Sequence, residues 1–285
     1  MNNFTQRAIT GAVFVVVLLG SILFNQYSFS ALFLLITILG VWEFYRITST
    51  DNTNPQKYTG TIIAAILFIL SAWVAAGSIG FAVLFSMIPL VFLVLVAELY
   101  TKSERPFTNI GYTLLGIFYV ALPFSLLNFI AFPEIKMMIG TEAAASGAQG
   151  YSPHILLGMI YMIWANDTGA YLVGRKLGKH RLFERISPKK SWEGSIGGAF
   201  FALLGSYVIS IYYTDIAFMD WAVISLIVVV VGTLGDLVES LLKRSLNIKD
   251  SGTILPGHGG ILDRFDSIIL ASPFVLLYIV LRFHV

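Results

Sequence analysis

The residues best suited to chemistry lie between positions 235 and 266. They run Gly235-Asp236-Leu237-Val238-Glu239-Ser240-Leu241-Leu242-Lys243-Arg244, then Lys249-Asp250-Ser251-Gly252, Pro256-Gly257-His258-Gly259-Gly260 and Asp263-Arg264-Phe265-Asp266. Helical spacing places Asp236, Glu239 and Lys243 on one face, and Asp263 and Asp266 on another. Asp236 is expected to close one helix and Asp263 to open the next at the same level. Carboxylates from two helices suit Mg²⁺, a hard cation that takes oxygen ligands and keeps waters that phosphate can replace. The glycines around His258 would let backbone N–H groups approach an anion closely. Salt bridges could account for Asp236 with Lys243, or Asp263 with Arg264. They do not account for three glycines, a histidine and paired aspartates packed so tightly.

A second cluster, 174–193, holds seven cations in twenty residues. Topology and contact with anionic lipid head groups explain its first half. They explain Ser187-Pro188-Lys189-Lys190-Ser191-Trp192-Glu193-Gly194 less well. There two lysines precede a helix expected to open at Ser191 or Trp192, and a helix amino terminus beside lysine charges is a phosphate site. The third cluster is Asn166-Asp167-Thr168, inside an apolar run. Asp167 should lie about six residues, or ~9 Å, from the nearer end of its helix. A carboxylate at that depth is costly without a partner or a metal. An interhelical hydrogen bond is the plainer explanation for the cluster, and a charge supplied to a metal or a lysine is the sharper one.

Cations, a glycine turn and acidic metal ligands together imply phosphoryl or nucleotidyl transfer. No GxxxxGK[ST] loop is present, which removes P-loop chemistry. The absence of cysteine removes thiolate metal sites and cysteine nucleophiles. The residues leave the substrates open.

The elements that must position these groups are membrane spans. The chain is 57% hydrophobic and 12% charged, with a mean hydropathy of +0.82. A soluble core could not be covered by so few charges, so an all-α polytopic membrane protein is expected. Apolar runs predict nine spans: 7–24, 29–47, 59–76, 79–98, 110–132, 153–173, 194–213, 219–236 and 266–283. With nine spans, 16 of the 18 basic residues fall on the side of the amino terminus, and Lys136 and Arg282 on the other. The positive-inside bias makes the rich side, and the amino terminus, cytoplasmic. Residues 1–132 read as a hydrophobic multi-span scaffold, with Glu43 and Glu98 as capping or snorkelling groups at span ends. Residues 133–285 read as the catalytic region.

Ser240-Leu-Leu-Lys-Arg244, Lys249-Asp250, Leu255-Pro-Gly-His-Gly-Gly260 and Asp263-Arg-Phe-Asp266 resemble the signature of the CDP-diacylglycerol synthases, or phosphatidate cytidylyltransferases. Asn166-Asp-Thr-Gly-Ala-Tyr171 and Ser187-Pro-Lys-Lys-Ser-Trp-Glu-Gly194 look like further family elements. The close resemblance covers roughly 160–270, and Ser191 stands where threonine is frequent. It implies that CTP and phosphatidate give CDP-diacylglycerol and pyrophosphate with Mg²⁺, a second cation remaining open. It implies a metal centre on Asp236, Asp263 and Asp266, with Asp167 as a further candidate. It assigns CTP phosphates to Lys189, Lys190, Lys243, Arg244, His258, Gly259, Gly260 and Arg264, with Lys190 and Lys243 also catalytic. A bacterial-type inner membrane, a cytoplasmic site and a homodimer follow by family analogy, and no nucleic-acid partner is expected. Two alternatives stand beside it: a related CTP-dependent lipid transferase or polyprenol kinase, and an ion-coupled transporter.

Overall fold

The computed structural model describes residues 3–132, 150–254, 257 and 259–283. The fold is helical throughout apart from one short hairpin. Helices α1 (Asn3–Phe24), α2 (Gln26–Thr48), α3 (Lys57–Ala75), α4 (Met87–Glu98), α5 (Pro106–Gly116) and α6 (Leu122–Ala131) occupy the first half. A π-helical segment, Ile117–Ala121, joins α5 to α6 in one continuous rod. Then come α7 (His154–Leu177), strands β1 (Arg181–Phe183) and β2 (Ser187–Ser191), α8 (Trp192–Tyr212), α9 (Phe218–Ser245) and α10 (Leu262–Phe283).

Among the described residues, eight helical segments are long and apolar enough to cross a membrane. They match eight of the nine expected spans. The ninth, α7, has the length but not the apolar composition, because Asn166, Asp167, Arg175 and Lys176 lie on it. Two boundaries differ from expectation. Helix α9 continues nine residues past Asp236, since 237–245 are good helix formers, so Asp236 does not close it. Helix α10 opens at Leu262, four residues before the apolar run drawn from 266, and Asp263 lies in its first turn as expected. The basic stretch 174–193 is not all loop: β1 and β2 pair antiparallel, with Arg181 opposite Ser191 and Phe183 opposite Ser187.

The chain divides into two compact units. The first comprises residues 1–153, 250–264 and 283–285. Part of its core is Ile63, Met87, Val94, Ile110 and Ile117. The Tyr45 ring fills a slot where Gly60 and Gly116 leave no room for a Cβ, and its hydroxyl donates to the Thr113 carbonyl at 2.7 Å. Glu98 and Glu43 do not snorkel, since both are buried. Glu98 is 4% exposed and accepts from Gln56 Nε2 (2.7 Å) and Asn109 Nδ2 (2.9 Å). Glu43 is 1% exposed and is bonded to the segment 250–264. Partners so distant in sequence leave no local signal.

The second unit comprises residues 154–249 and 265–282. Helices α7 and α8 approach through small residues. A Cβ on Gly197 would lie 2.4 Å from Val173 Cγ2, and one on Gly169 would lie 2.8 Å from Phe201 Cβ. Such stripes let membrane helices pack backbone to backbone. At the start of α9, buried Asp220 accepts from Tyr278 Oη (2.6 Å) and Arg282 Nε (2.8 Å). Arg282, one of the two basic residues assigned to the opposite side, is thus part of a structural network.

Candidate active site

A cleft of about 530 Å³ opens in the second unit. Helix α7 contributes Asp167, Tyr171 and Arg175, the hairpin contributes Arg181, Lys189 and Lys190, and α9 contributes Asp236. The lining therefore carries four cations against two carboxylates. That balance suits a polyanion while keeping acidic groups beside it.

The local sequence explains how each element presents its groups. Ser191 caps α8 in extended conformation, and its Oγ accepts from Gly194 N at 3.2 Å. Helix α8 thus opens at Trp192, as its sequence predicts. Glu193, in its first turn, accepts from Lys179 N (3.1 Å) and His180 N (3.2 Å), and lies 2.6 Å from His180 Nδ1. The carboxylate ties the hairpin's first arm to the helix, while Trp192 N donates to His180 O. This brace fixes β2, and with it Lys189 and Lys190, against the helix start.

Lys190 Nζ reaches Asp236 Oδ2 at 2.5 Å. Asp236 Oδ1 accepts from Ser240 Oγ at 3.2 Å. Helix α10 meets α9 at Gly235, where a Cβ would lie 2.5 Å from the Asp266 carbonyl. That approach brings Asp266 close enough to feel the charges of Asp236, Asp167 and Lys190. Asp266 Oδ1 accepts from Ser267 N at 2.6 Å. Asp167 is exposed and lines the cleft, and Thr168 makes an ordinary bond to the Trp164 carbonyl. Arg175 Nη1 donates to Tyr171 Oη at 3.3 Å.

Other predicted site residues have different surroundings. Lys243 pairs with Glu239 one turn away, and Glu239 is buried. Arg244 Nη1 donates to the Ile248 carbonyl at 3.4 Å. Asp263 belongs to the first unit, where Oδ2 accepts from Ser251 N (2.9 Å), Ser251 Oγ (2.9 Å) and Gly260 N (2.8 Å). Gly259 has a left-handed φ of +88°, and its missing Cβ makes room for Asp263 Oδ2. The glycine turn therefore does approach anions, and in this structure they are the chain's own carboxylates. Arg264 is exposed. His258, Leu255 and Pro256 lie outside the described residues.

Among the described residues, no three His, Asp or Glu side chains form a ready-made metal cage. Mg²⁺ does not require one, since it commonly binds one or two carboxylates together with substrate phosphates and water. Asp236, Asp167 and Lys190 all lie near enough to Asp266 for their charges to act on it, and Lys190 pairs with Asp236. Carboxylate oxygens are hard donors of the kind that a divalent cation takes.

The fold is that of an all-α multi-span membrane protein, and its cleft is lined by both cationic and acidic residues. The model of the cytidylyltransferase family matches residues 5–282, and the chain belongs to that family. It is 30% identical to the phosphatidate cytidylyltransferase of Bacillus subtilis (strain 168) over 276 residues, covering 96% of this chain and 97% of that protein. The phosphatidate cytidylyltransferase of Staphylococcus aureus (strain COL) is 37% identical over 228 residues, covering 78% and 80%. That of Staphylococcus saprophyticus is 37% identical over 227 residues.

Proposed function

We propose that this chain is a phosphatidate cytidylyltransferase, making CDP-diacylglycerol and pyrophosphate from CTP and phosphatidate. The observation that carries the reading is the Lys190–Asp236 pair, set in a cationic cleft of a chain that matches one relative named for that activity almost end to end and others over about four fifths of their length. An ion-coupled transporter does not need such a surface cleft of lysines and arginines.

The phosphate of phosphatidate attacks the α-phosphorus of CTP, a P–O bond forms, and the bond to the leaving pyrophosphate breaks. The nucleophile is already an anion at neutral pH, so no strong base is required. The difficulty is electrostatic, because two polyanions must meet. Lys189, Lys190, Arg175 and Arg181 line the approach and neutralise phosphate oxygens. Lys190 exchanges part of its contact with Asp236 for a CTP phosphate, leaving the Asp236 carboxylate available. Asp236 and Asp266 would hold Mg²⁺, with Asp167 beside them. A cation held there would supply charge neutralisation at the triphosphate. Asp263, Lys243, Arg244 and His258 remain assigned to the reaction through the family signature.

The cleft faces the cytoplasm in this reading, with α7 crossing the membrane as the ninth span. Sixteen of eighteen basic residues then lie inside, where CTP is found. Magnesium dependence is tested with purified enzyme in detergent. Chelation should stop CDP-diacylglycerol formation and added Mg²⁺ should restore it. Full activity after exhaustive chelation would remove the metal from the reading.

A further inference from the structure

Glu43 lies in α2, far in sequence from every signature residue, yet it binds the signature loop directly. Oε1 accepts from Ser251 Oγ at 2.6 Å and from Leu262 N at 3.0 Å, and Oε2 accepts from Ile261 N at 3.0 Å. Ile261 and Leu262 are where α10 begins. The carboxylate therefore satisfies helix-start N–H groups that have no partner within the helix, and meets the positive end of its dipole. Two glycines are shaped around it. A Cβ on Gly260 would lie 2.1 Å from Glu43 Oε1, and one on Gly252 would lie 2.4 Å from Oε2. One turn on, Arg46 Nη2 donates to the Ser251 carbonyl at 3.2 Å.

Ser251 joins this carboxylate to a second one. Its hydroxyl lies 2.6 Å from Glu43 Oε1 and 2.9 Å from Asp263 Oδ2, and its N–H donates to Asp263. Gly260, wedged against Glu43, donates its own N–H to the same Asp263 oxygen. The loop is thus clamped from α2, and the clamp sets where the Asp263 carboxylate stands.

We infer that Glu43 is a positioning residue for the cytidylyl transfer, acting through Ser251 and Gly260 on Asp263. This rests on the reading of the chain as a phosphatidate cytidylyltransferase that needs Asp263. Charge and shape both matter at position 43. Gln keeps the size but turns an NH₂ toward groups that are themselves donors, so at least one contact reverses. The loop then loses its fixed arrangement without losing its fold.

The test uses the full chain in detergent with CTP and phosphatidate. Glu43→Gln should lower kcat by roughly 30-fold or more, the scale of a misplaced reacting group, with KM for CTP changed less than about threefold and melting near wild type. Ser251→Ala should lower kcat by about tenfold, the scale of one lost hydrogen bond. The double variant should be no slower than Glu43→Gln alone, because both act through one chain of contacts. Should Glu43→Gln fail to assemble, Ser251→Ala carries the test. Unchanged kcat in Ser251→Ala, or fully additive losses in the double variant, would each overturn the inference. An active Asp263→Asn enzyme would instead remove the underlying reading of Asp263.

Discussion

Lys190 on β2 and Asp236 on α9 meet at 2.5 Å, each about a third exposed or less. A salt bridge so open to water stabilises the fold little. Its importance lies in what each partner can do when a phosphate displaces the other. The two roles separate by substitution. Asp236→Asn should reduce turnover by roughly 10²–10³-fold or more, the loss of a charge that acts in the transition state. Lys190→Ala should raise KM for CTP by about tenfold or more, the scale of a charged hydrogen bond, with a smaller effect on kcat. Steady-state kinetics on both variants decide this, and near-normal kinetics for both would remove the pair from catalysis.

Asp167 faces the cleft and is exposed there. Its carboxylate is therefore not a buried tie between helices, and Asp167→Asn should melt with the wild type. Its charge is felt at Asp266, so CDP-diacylglycerol formation should fall by about tenfold or more. Melting and activity measured on one preparation check the prediction. A stable and fully active variant would return Asp167 to the scaffold.

Gly197 is where α8 lies against α7, with Val173 Cγ2 only 2.4 Å from the position of a Cβ. Gly197→Ala should force the helices apart and cost about 1–3 kcal/mol by overpacking. Since α7 and α8 carry cleft residues on both sides, activity should fall along with the melting temperature. The measurement is a melt in detergent, and an unchanged midpoint would contradict the tight contact.

Orientation can be tested because the chain lacks cysteine. Single cysteines at Lys179 and Asn247 should resist an impermeant thiol reagent in intact cells and react once the membrane is opened. Labelling from outside at either position would reverse the topology and move the cleft away from CTP.

Much of the architecture was legible from composition and run length. Eight spans follow directly from apolar windows, whose signal is local and strong. Helix α7 was legible too, although its polar residues make it less apolar than the rest. The start of α8 could be read because Ser191 is a good cap and Trp192-Glu193-Gly194 follow it. The end of α9 could not, because the apolar run stops at Asp236 while helix-forming residues continue. The β1–β2 hairpin was hidden by its charge, since a basic stretch between spans looks like plain topology. Glu43 was the least legible residue. One acid at the end of a span carries no sign that its partners lie more than two hundred residues further along. The glycines at 252 and 260 were visible, but what filled the space beside them was not.

The most direct measurement supplies CTP labelled at its α-phosphate together with phosphatidate, in detergent with Mg²⁺. Label should pass into the lipid fraction as CDP-diacylglycerol, with one pyrophosphate released per lipid labelled. Asp236→Asn should show neither. Pyrophosphate release without labelled lipid, transfer to a polyprenol in preference to phosphatidate, or no consumption of CTP by well-folded protein would contradict the account.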